Sequence, residues 1–193
     1  LYDGDGIYQG EAVEGIPDKA TDNGTIGKMT VSYAPTDDMM LYATISEGYR
    51  AGFLNRPGGY TSKDGLYTVP YEFGSDEMTN YEFGWKTDLM DGRMRFNGSV
   101  FLAQIGGLQT TIFDPSIANL FFSDNAADAE VRGLEADLIW VPESIEGLTI
   151  SAGLSMLDTE STKTITTSID VVAGDCLAFA PELQGNLQAR YEW

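Results

Sequence analysis

Few side chains in this 193-residue sequence could carry catalytic or metal chemistry. No histidine is present, which excludes Ser-His-Asp and Cys-His nucleophile systems and every histidine-ligated zinc or haem site. Cys176 is the single cysteine, so it either pairs with a cysteine elsewhere in a longer protein or stays free. Nothing in the spacing of the 30 acidic residues points to a paired-carboxylate centre. We therefore expect neither an enzyme nor a cofactor-binding protein.

The acidic N-terminal segment invites comparison with calcium-binding loops. It contains Asp3-Gly4-Asp5-Gly6, which is similar to the start of an EF-hand loop. That loop needs an oxygen ligand where Ile7 stands and a glycine where Tyr8 stands, so the match fails where the geometry is strictest. We predict no metal site and interpret residues 1–26 as an acidic loop, where loose binding of divalent cations is a further hypothesis.

The stretch 51–75, which combines aromatic residues with scattered cations, is the best candidate for ligand recognition. Aromatic rings and positive charges suit an anionic, partly aromatic ligand, because the rings stack and the charges attract. The alternative is a loop that packs on its own aromatic side chains. The predicted ligand-binding residues are Arg50, Phe53, Arg56, Tyr60, Tyr67 and Tyr71.

The overall charge argues against a nucleic-acid partner. Lys and Arg number 11 and Asp and Glu number 30, which gives a net charge of −19 at pH 7 and no basic surface for phosphates. Apolar residues make up 42% of the chain, enough for an ordered structure. Their unbroken runs are only a few residues long, so we predict no transmembrane helix.

Apolar and polar residues alternate with period two along most of the chain, which predicts an all-β, antiparallel, up-and-down sheet. In Tyr81-Glu82-Phe83, for example, the two outer residues share one face and Glu82 lies on the other. The same pattern predicts seven strands, at about 27–34, 39–50, 76–88, 93–112, 125–140, 148–158 and 183–193.

The connections between these strands alternate between short turns and long loops. Turns near residues 35–38, 89–92 and 141–147 are short, whereas 51–75, 113–124 and 158–181 are long and irregular. In an up-and-down sheet, all short turns then lie at one end, as in outer-membrane barrels. Tyr33, Trp85 and Trp140 precede the three short turns, where an interfacial aromatic girdle is expected.

The two faces of the predicted strands differ in a way that favours a membrane barrel. A soluble β-sandwich module that binds glycans or calcium would also alternate, and it is the alternative. Full charges at mid-strand on the polar face fit a water-filled lumen better. The predicted lumen-facing residues are Glu82, Lys86, Arg95, Asn97, Glu135, Asp137 and Arg190. The predicted lipid-facing residues are Tyr81, Phe83, Trp85, Phe96, Leu138, Trp140, Ile150 and Leu154.

Five ordered segments resemble the C-terminal half of TonB-dependent outer-membrane receptors. The first, 41–55, contains Gly48-Tyr49-Arg50 and Asn55. The others are Asn80-Tyr81-Glu82 with Lys86, the strand from Arg93 to Gln109, Asn125-Ala126-Ala127 with Gly133 and Glu135, and Ala180-Pro181 leading to Trp193. Each segment alone is a weak signal, whereas five in the same order are specific.

The resemblance implies a 22-stranded barrel in the outer membrane of a Gram-negative bacterium, closed by an N-terminal plug. Members import scarce nutrients, and a ferric siderophore or other iron complex is the expected ligand here. The TonB complex pulls on the plug through the N-terminal region. Residues 1–193 then hold about seven of the strands as part of one barrel domain and lack the plug. Residues 1–26 are then an extracellular loop, and divalent cations bound to such acidic loops could bridge to lipopolysaccharide. The lumen-facing charges either contact plug or ligand or simply keep the wall hydrated.

Overall fold

The computed structural model describes residues 17, 19–55, 58–119, 121–168 and 170–193. Within these ranges the chain forms nine β-strands. No helix among them is long and apolar enough to cross a membrane. The strands are β1 (Lys28–Thr36), β2 (Met39–Arg50), β3 (Phe53–Leu54), β4 (Glu72–Phe73), β5 (Asp76–Leu89), β6 (Met94–Ile112), β7 (Phe122–Trp140), β8 (Leu148–Thr164) and β9 (Leu183–Tyr191).

Seven strands form one antiparallel sheet in the order β1-β2-β5-β6-β7-β8-β9, so each strand pairs with its successor among the long strands. The expected all-β, antiparallel, up-and-down fold is confirmed. The sheet does not close on itself within this chain. β3 and β4 form a separate two-stranded ribbon inside the stretch 51–75, which we expected to be irregular throughout.

Two strands are longer than the alternation suggests. β7 begins at Phe122 rather than near 125, and β8 continues to Thr164 rather than ending near 158. The ladder between β6 and β7 continues through register shifts on both sides of Leu108, where residues bulge out of the pairing. Since a bulge interrupts the period of two, it conceals a strand that still makes ladder hydrogen bonds.

Three long connections leave the same end of the sheet. We call their described parts the first long loop (51–75), the second long loop (113–121) and the third long loop (165–182). Most of the buried apolar side chains lie at the loop end, in these loops or in the adjoining ends of β6 and β7. Six of them form one cluster, which consists of Val69, Ile112, Ile117, Ala118, Phe122 and Ala126.

The short turn between β5 and β6 contains three successive residues with left-handed backbone, Met90 (φ 55°), Asp91 (φ 57°) and Gly92 (φ 80°). Only glycine adopts this region without penalty. A Cβ at Gly92 would meet no atom within 4 Å, so a substitution there would be opposed by the backbone angle alone.

We expect Gly92→Ala to lower the free energy of unfolding by about 1 kcal/mol, because alanine must adopt the left-handed angle. Met90→Asn should instead raise it by a few tenths of a kcal/mol, since asparagine tolerates this region better than methionine. Denaturant titration of the full-length protein measures both. Equal effects of the two substitutions would contradict a backbone origin.

Candidate functional site

The register of the ladder places all seven predicted lumen-facing side chains on one face of the sheet. Glu82 and Lys86 lie on β5, Asn97 pairs with Lys86 across β5–β6, and Asp137 pairs with Asn97 across β6–β7. The others follow from the same alternation. Whether this face lines a lumen stays a prediction, but its side chains do share one surface.

Hydrogen bonds connect neighbouring strands across this polar face. The Tyr42 hydroxyl donates to Glu82 Oε1 at 2.7 Å, and Asn97 Nδ2 donates to Asp137 Oδ2 at 3.0 Å. The Tyr42 ring reaches Glu82 by lying directly over Gly84, where a Cβ would come within 2.3 Å of Cζ. Any side chain at position 84 would collide with the Tyr42 ring, so this contact requires glycine there.

An open depression of about 1050 Å³ lies on the polar face. Asn97 lines this depression, and its Oδ1 is buried without a hydrogen-bond partner, the sole such side-chain atom among the described residues. Because that oxygen is buried, it presents no acceptor to a group that enters the depression. The lining includes Tyr42, Glu82, Lys86, Asn97, Glu135 and Asp137.

The opposite face carries an apolar band, which spans nine residues on β6 and β8 and seven on β7. All eight predicted lipid-facing side chains lie on it. On β6 the band runs from Met94 to Leu102, nine residues or about 27 Å along the strand. At the tilt usual for barrel strands this corresponds to about 20 Å across the membrane, close to the ~25 Å band of outer-membrane barrels.

The described residues do not cover this band. Phe83 is 47% exposed and Leu187 is 78% exposed, although both lie in the middle of strands. An exposed apolar surface of this extent marks contact with a partner or a membrane. The soluble β-sandwich alternative needs a second sheet over one face. Apart from the main sheet, the described residues provide only the two-stranded ribbon of β3 and β4, with two residues in each strand.

The band crosses the sheet obliquely. We call residues that pair across neighbouring strands a row. The upper edge of the band, toward the long loops, is the row that contains Tyr81 on β5 and Leu102 on β6. On β7 that row holds Arg132, and the band ends one row lower, at Leu134. Its lower edge moves in the same direction, so that on β8 and β9 it extends to the pair Leu148 and Tyr191. Strands tilted in a flat membrane produce this drift.

Charged residues replace apolar ones immediately above the band. Gln104 pairs with Glu130 across β6–β7, and Glu130 pairs with Glu160 across β7–β8. Arg132 contacts Glu130 and lies 3.9 Å from Asp158. The apolar face is therefore free of charged side chains only below this edge.

The aromatic residues near the short turns occupy different depths. Trp140 pairs with Met94 in the row next to the β5–β6 turn. Trp85 lies two rows higher, because β5 continues four residues beyond it to Leu89. Trp85 is therefore in the middle of the band, whereas Trp140 is at its edge.

A polar network closes the neck of the first long loop, where β2 ends and β5 begins. Arg50 Nη2 lies 2.5 Å from Asp76 Oδ2 and donates to the backbone oxygen of Gln109 at 2.8 Å. The Gln109 amide N–H donates to the same Asp76 oxygen at 3.1 Å. The Gln109 side chain donates to the carbonyls of Arg50, Ala51 and Gly74 at 2.9–3.0 Å.

Two asparagines extend this network. Asn125 donates to the Gly107 carbonyl at 2.7 Å and accepts a hydrogen bond from the Gly74 amide at 2.8 Å. Asn55 exchanges two hydrogen bonds with the backbone of Ser123, at 2.6 and 2.8 Å. The first long loop is thereby fastened to the ends of β6 and β7.

The predicted ligand-binding residues divide into exposed and engaged side chains. Phe53 (61% exposed) and Tyr60 (48% exposed) present their rings to solvent. Tyr71 is more covered because its ring lies against Gly58 and Gly59. Arg50 is part of the neck network. Arg56 lies outside the described residues, as do Asp3, Asp5, Ile7 and Tyr8 of the calcium comparison.

Tyr67 is the most strongly engaged of the predicted ligand residues. Its hydroxyl donates to Asp124, and its ring packs near Phe122 with the centroids 6.1 Å apart. Burial, together with the hydrogen bond to the Asp124 carboxylate, raises the pKa of Tyr67 well above its usual range. The hydroxyl is therefore a permanent donor at physiological pH, used within the loops.

One exposed aromatic pair was not among the predicted ligand residues. Phe113 and Phe121 stand at the two ends of the second long loop with ring centroids 4.8 Å apart, and Phe121 is 67% exposed. Sequence offered a signal, since both flank a short stretch that starts with the turn-forming pair Asp114-Pro115. Cys176, in the third long loop, is exposed and free, and a partner elsewhere stays a prediction.

A sheet with one apolar, membrane-deep face and one polar, hydrogen-bonded face defines a wall segment of an outer-membrane β-barrel. The chain belongs to the family described as TonB dependent receptor-like, beta-barrel, which matches residues 2–193. The family comprises outer-membrane receptors of Gram-negative bacteria and not enzymes.

Relatives and solved structures agree with this assignment. The metal-pseudopaline receptor CntO of Pseudomonas aeruginosa is 27% identical over 166 residues, which cover 86% of this chain and 20% of that protein. The ferric yersiniabactin receptor FyuA of Yersinia pestis superposes with a TM-score of 0.59 at 18% identity, covering 85% of this chain and 22% of that one. The ferric preacinetobactin receptor BauA of Acinetobacter baumannii gives 0.59 at 24% identity, with the same coverage. The chain spans about a fifth of these proteins.

Proposed function

We propose that this chain is part of the barrel wall of a receptor that imports a ferric siderophore or a similar iron complex across the outer membrane. The apolar band carries the proposal: its depth of about 20 Å is close to that of the apolar band of outer-membrane barrels, the described residues leave it uncovered, and it lies opposite a polar face. Relatives named as receptors for ferric siderophores or a metal–pseudopaline complex support an iron or metal complex as ligand.

Each surface then has a partner. The apolar band contacts outer-membrane lipid. The polar face with Glu82, Glu135 and Asp137 lines the lumen, where its charges face water, the plug or the passing ligand. The exposed aromatic residues Phe53 and Tyr60 face an arriving ligand. Energy comes from the TonB complex, which acts on a region of the protein outside this chain.

Deletion of the full-length gene tests the proposal. Cells grown with limiting iron should take up less radiolabelled iron, supplied as ferric complexes in the strain's own culture supernatant, and the complete gene should restore uptake. A protonophore should abolish the restored uptake, because transport by this class is energised. Unchanged iron uptake in the deletion strain would rule out an iron complex as the ligand, while the barrel assignment would stand.

A further inference from the structure

The three long loops share one apolar cluster. The first long loop contributes Val69, and the second contributes Ile117 and Ala118, all of them buried. Tyr67 and Val171, from the first and third loops, pack against the same cluster. Since apolar contacts of this kind lose area whenever one member leaves, the loops stabilise one another.

Asp124 joins two of these loops through one carboxylate oxygen. Its Oδ2 accepts hydrogen bonds from the Tyr67 hydroxyl of the first loop and from the Thr166 hydroxyl of the third loop, the latter at 2.7 Å. Its Oδ1 accepts the Asn125 amide at 2.9 Å, which fixes the carboxylate at the start of β7. Thr166 is only 4% exposed, so this joint is shielded from water.

Direct contacts also connect the remaining pairs of loops. The Lys63 amide of the first loop donates to the Ser116 carbonyl of the second at 3.2 Å. The Phe113 amide of the second loop donates to the Asp170 carboxylate of the third at 2.8 Å. Every pair among the three loops is therefore connected, either directly or through Asp124.

We propose that the three long loops form one pre-assembled unit that opens and closes as a whole, with Asp124 as the positioning residue that joins the first loop to the third. Cooperative opening follows because the loops share a cluster and a carboxylate, so that one loop cannot leave without unpairing groups of another. The proposal rests on the proposed function only in one respect, that an arriving ligand would meet these loops. Their coupling can be measured without a ligand.

Hydrogen exchange of the full-length receptor in detergent, read by mass spectrometry, tests the coupling. Each loop substitution is made in one loop, and the rate of hydrogen exchange is measured in another. Tyr67→Phe removes only the hydroxyl of the first loop, and we expect peptides from 165–182 to exchange several-fold faster. Thr166→Val should likewise increase the rate of hydrogen exchange in peptides from 58–71. Asp124→Ala should raise the exchange rate of both sets of peptides by about tenfold or more. Asp124→Asn, which keeps an acceptor oxygen, should raise it by less.

Asp64→Ala is the matched control. The Asp64 carboxylate accepts the Ser62 hydroxyl at 2.6 Å and the Leu66 amide at 3.0 Å, both within the first loop. Its loss should accelerate only peptides around 61–67. Strand peptides 81–89 and 134–140 should not change in any variant. If Tyr67→Phe leaves 165–182 unchanged, or if Asp64→Ala accelerates all three loops equally, the loops are not joined through Asp124.

Discussion

Replacing Ala152 with arginine is expected to destabilise the full-length receptor in lipid by about 2–4 kcal/mol, whereas arginine at the adjacent Ser151 should change stability by less than about 1 kcal/mol. Ala152 pairs with Leu138 and Leu187 in the middle of the apolar band. Ser151 lies on the polar face and pairs with Gln188. The two residues are neighbours in the chain, but the side chain of Ala152 faces lipid whereas that of Ser151 faces water.

The cost should also depend on depth. Met156→Arg lies at the upper edge of the band, one step below Asp158, so its side chain can reach the headgroup layer and the cost should fall to about 0–1 kcal/mol. Denaturant titration of folding into lipid vesicles measures all three variants. Equal costs at Ala152 and Ser151 would mean that the apolar face does not contact lipid, and the barrel interpretation would fail.

The faces of the sheet could be predicted from sequence because they depend only on a local period. Glu82 and Phe83 differ by one position, and no long-range contact is needed to place them on opposite faces. The five family-like segments added the class of protein, since they occur in order along the chain. These two signals were sufficient for the fold and for the division of the wall residues between the two faces of the sheet.

The loop end could not be predicted in the same way. The first three residues of β7, Phe122–Asp124, and the last six of β8, Thr159–Thr164, lie outside the strands that the alternation predicted. Contacts such as Tyr67 with Asp124 join residues 57 positions apart. No local pattern encodes such a contact, so Tyr67 was assigned to a ligand when its hydroxyl is used by the loops themselves.

The family-like segments also contained the neck network without revealing it. Arg50, Asn55, Gln109 and Asn125 all lie in those segments, and the structure shows each of them holding backbone groups at the loop end. Arg50 was predicted to bind a ligand because a cation beside an aromatic loop suggests recognition. Its contact with Asp76 favours a positioning role, and ligand contact by the exposed part of its side chain stays a prediction.

Asp76→Ala is expected to destabilise the receptor by about 2–3 kcal/mol and to free the first long loop. The Asp76 side chain is 10% exposed and accepts from both Arg50 and the Gln109 amide. Its removal leaves that amide without an acceptor in a part-buried position. The Arg50 side chain is 54% exposed, so water can solvate its charge, which keeps the cost below that of a fully buried pair.

A second aspartate–arginine pair in the same sheet provides the control. Asp88 and Arg95 form two hydrogen bonds, at 2.7 and 3.2 Å, near the short turns. Their side chains are 39% and 59% exposed, so solvent screens the pair and Asp88→Ala should destabilise the receptor much less than Asp76→Ala. Asp76→Asn, which keeps an acceptor for Gln109, should cost less than Asp76→Ala. Denaturant titration in lipid vesicles gives the stabilities, and protease accessibility of 58–71 reports the loop. If Asp76→Ala and Asp88→Ala cost the same, burial at the neck does not set the strength of the network, and the loop is held by its apolar cluster alone.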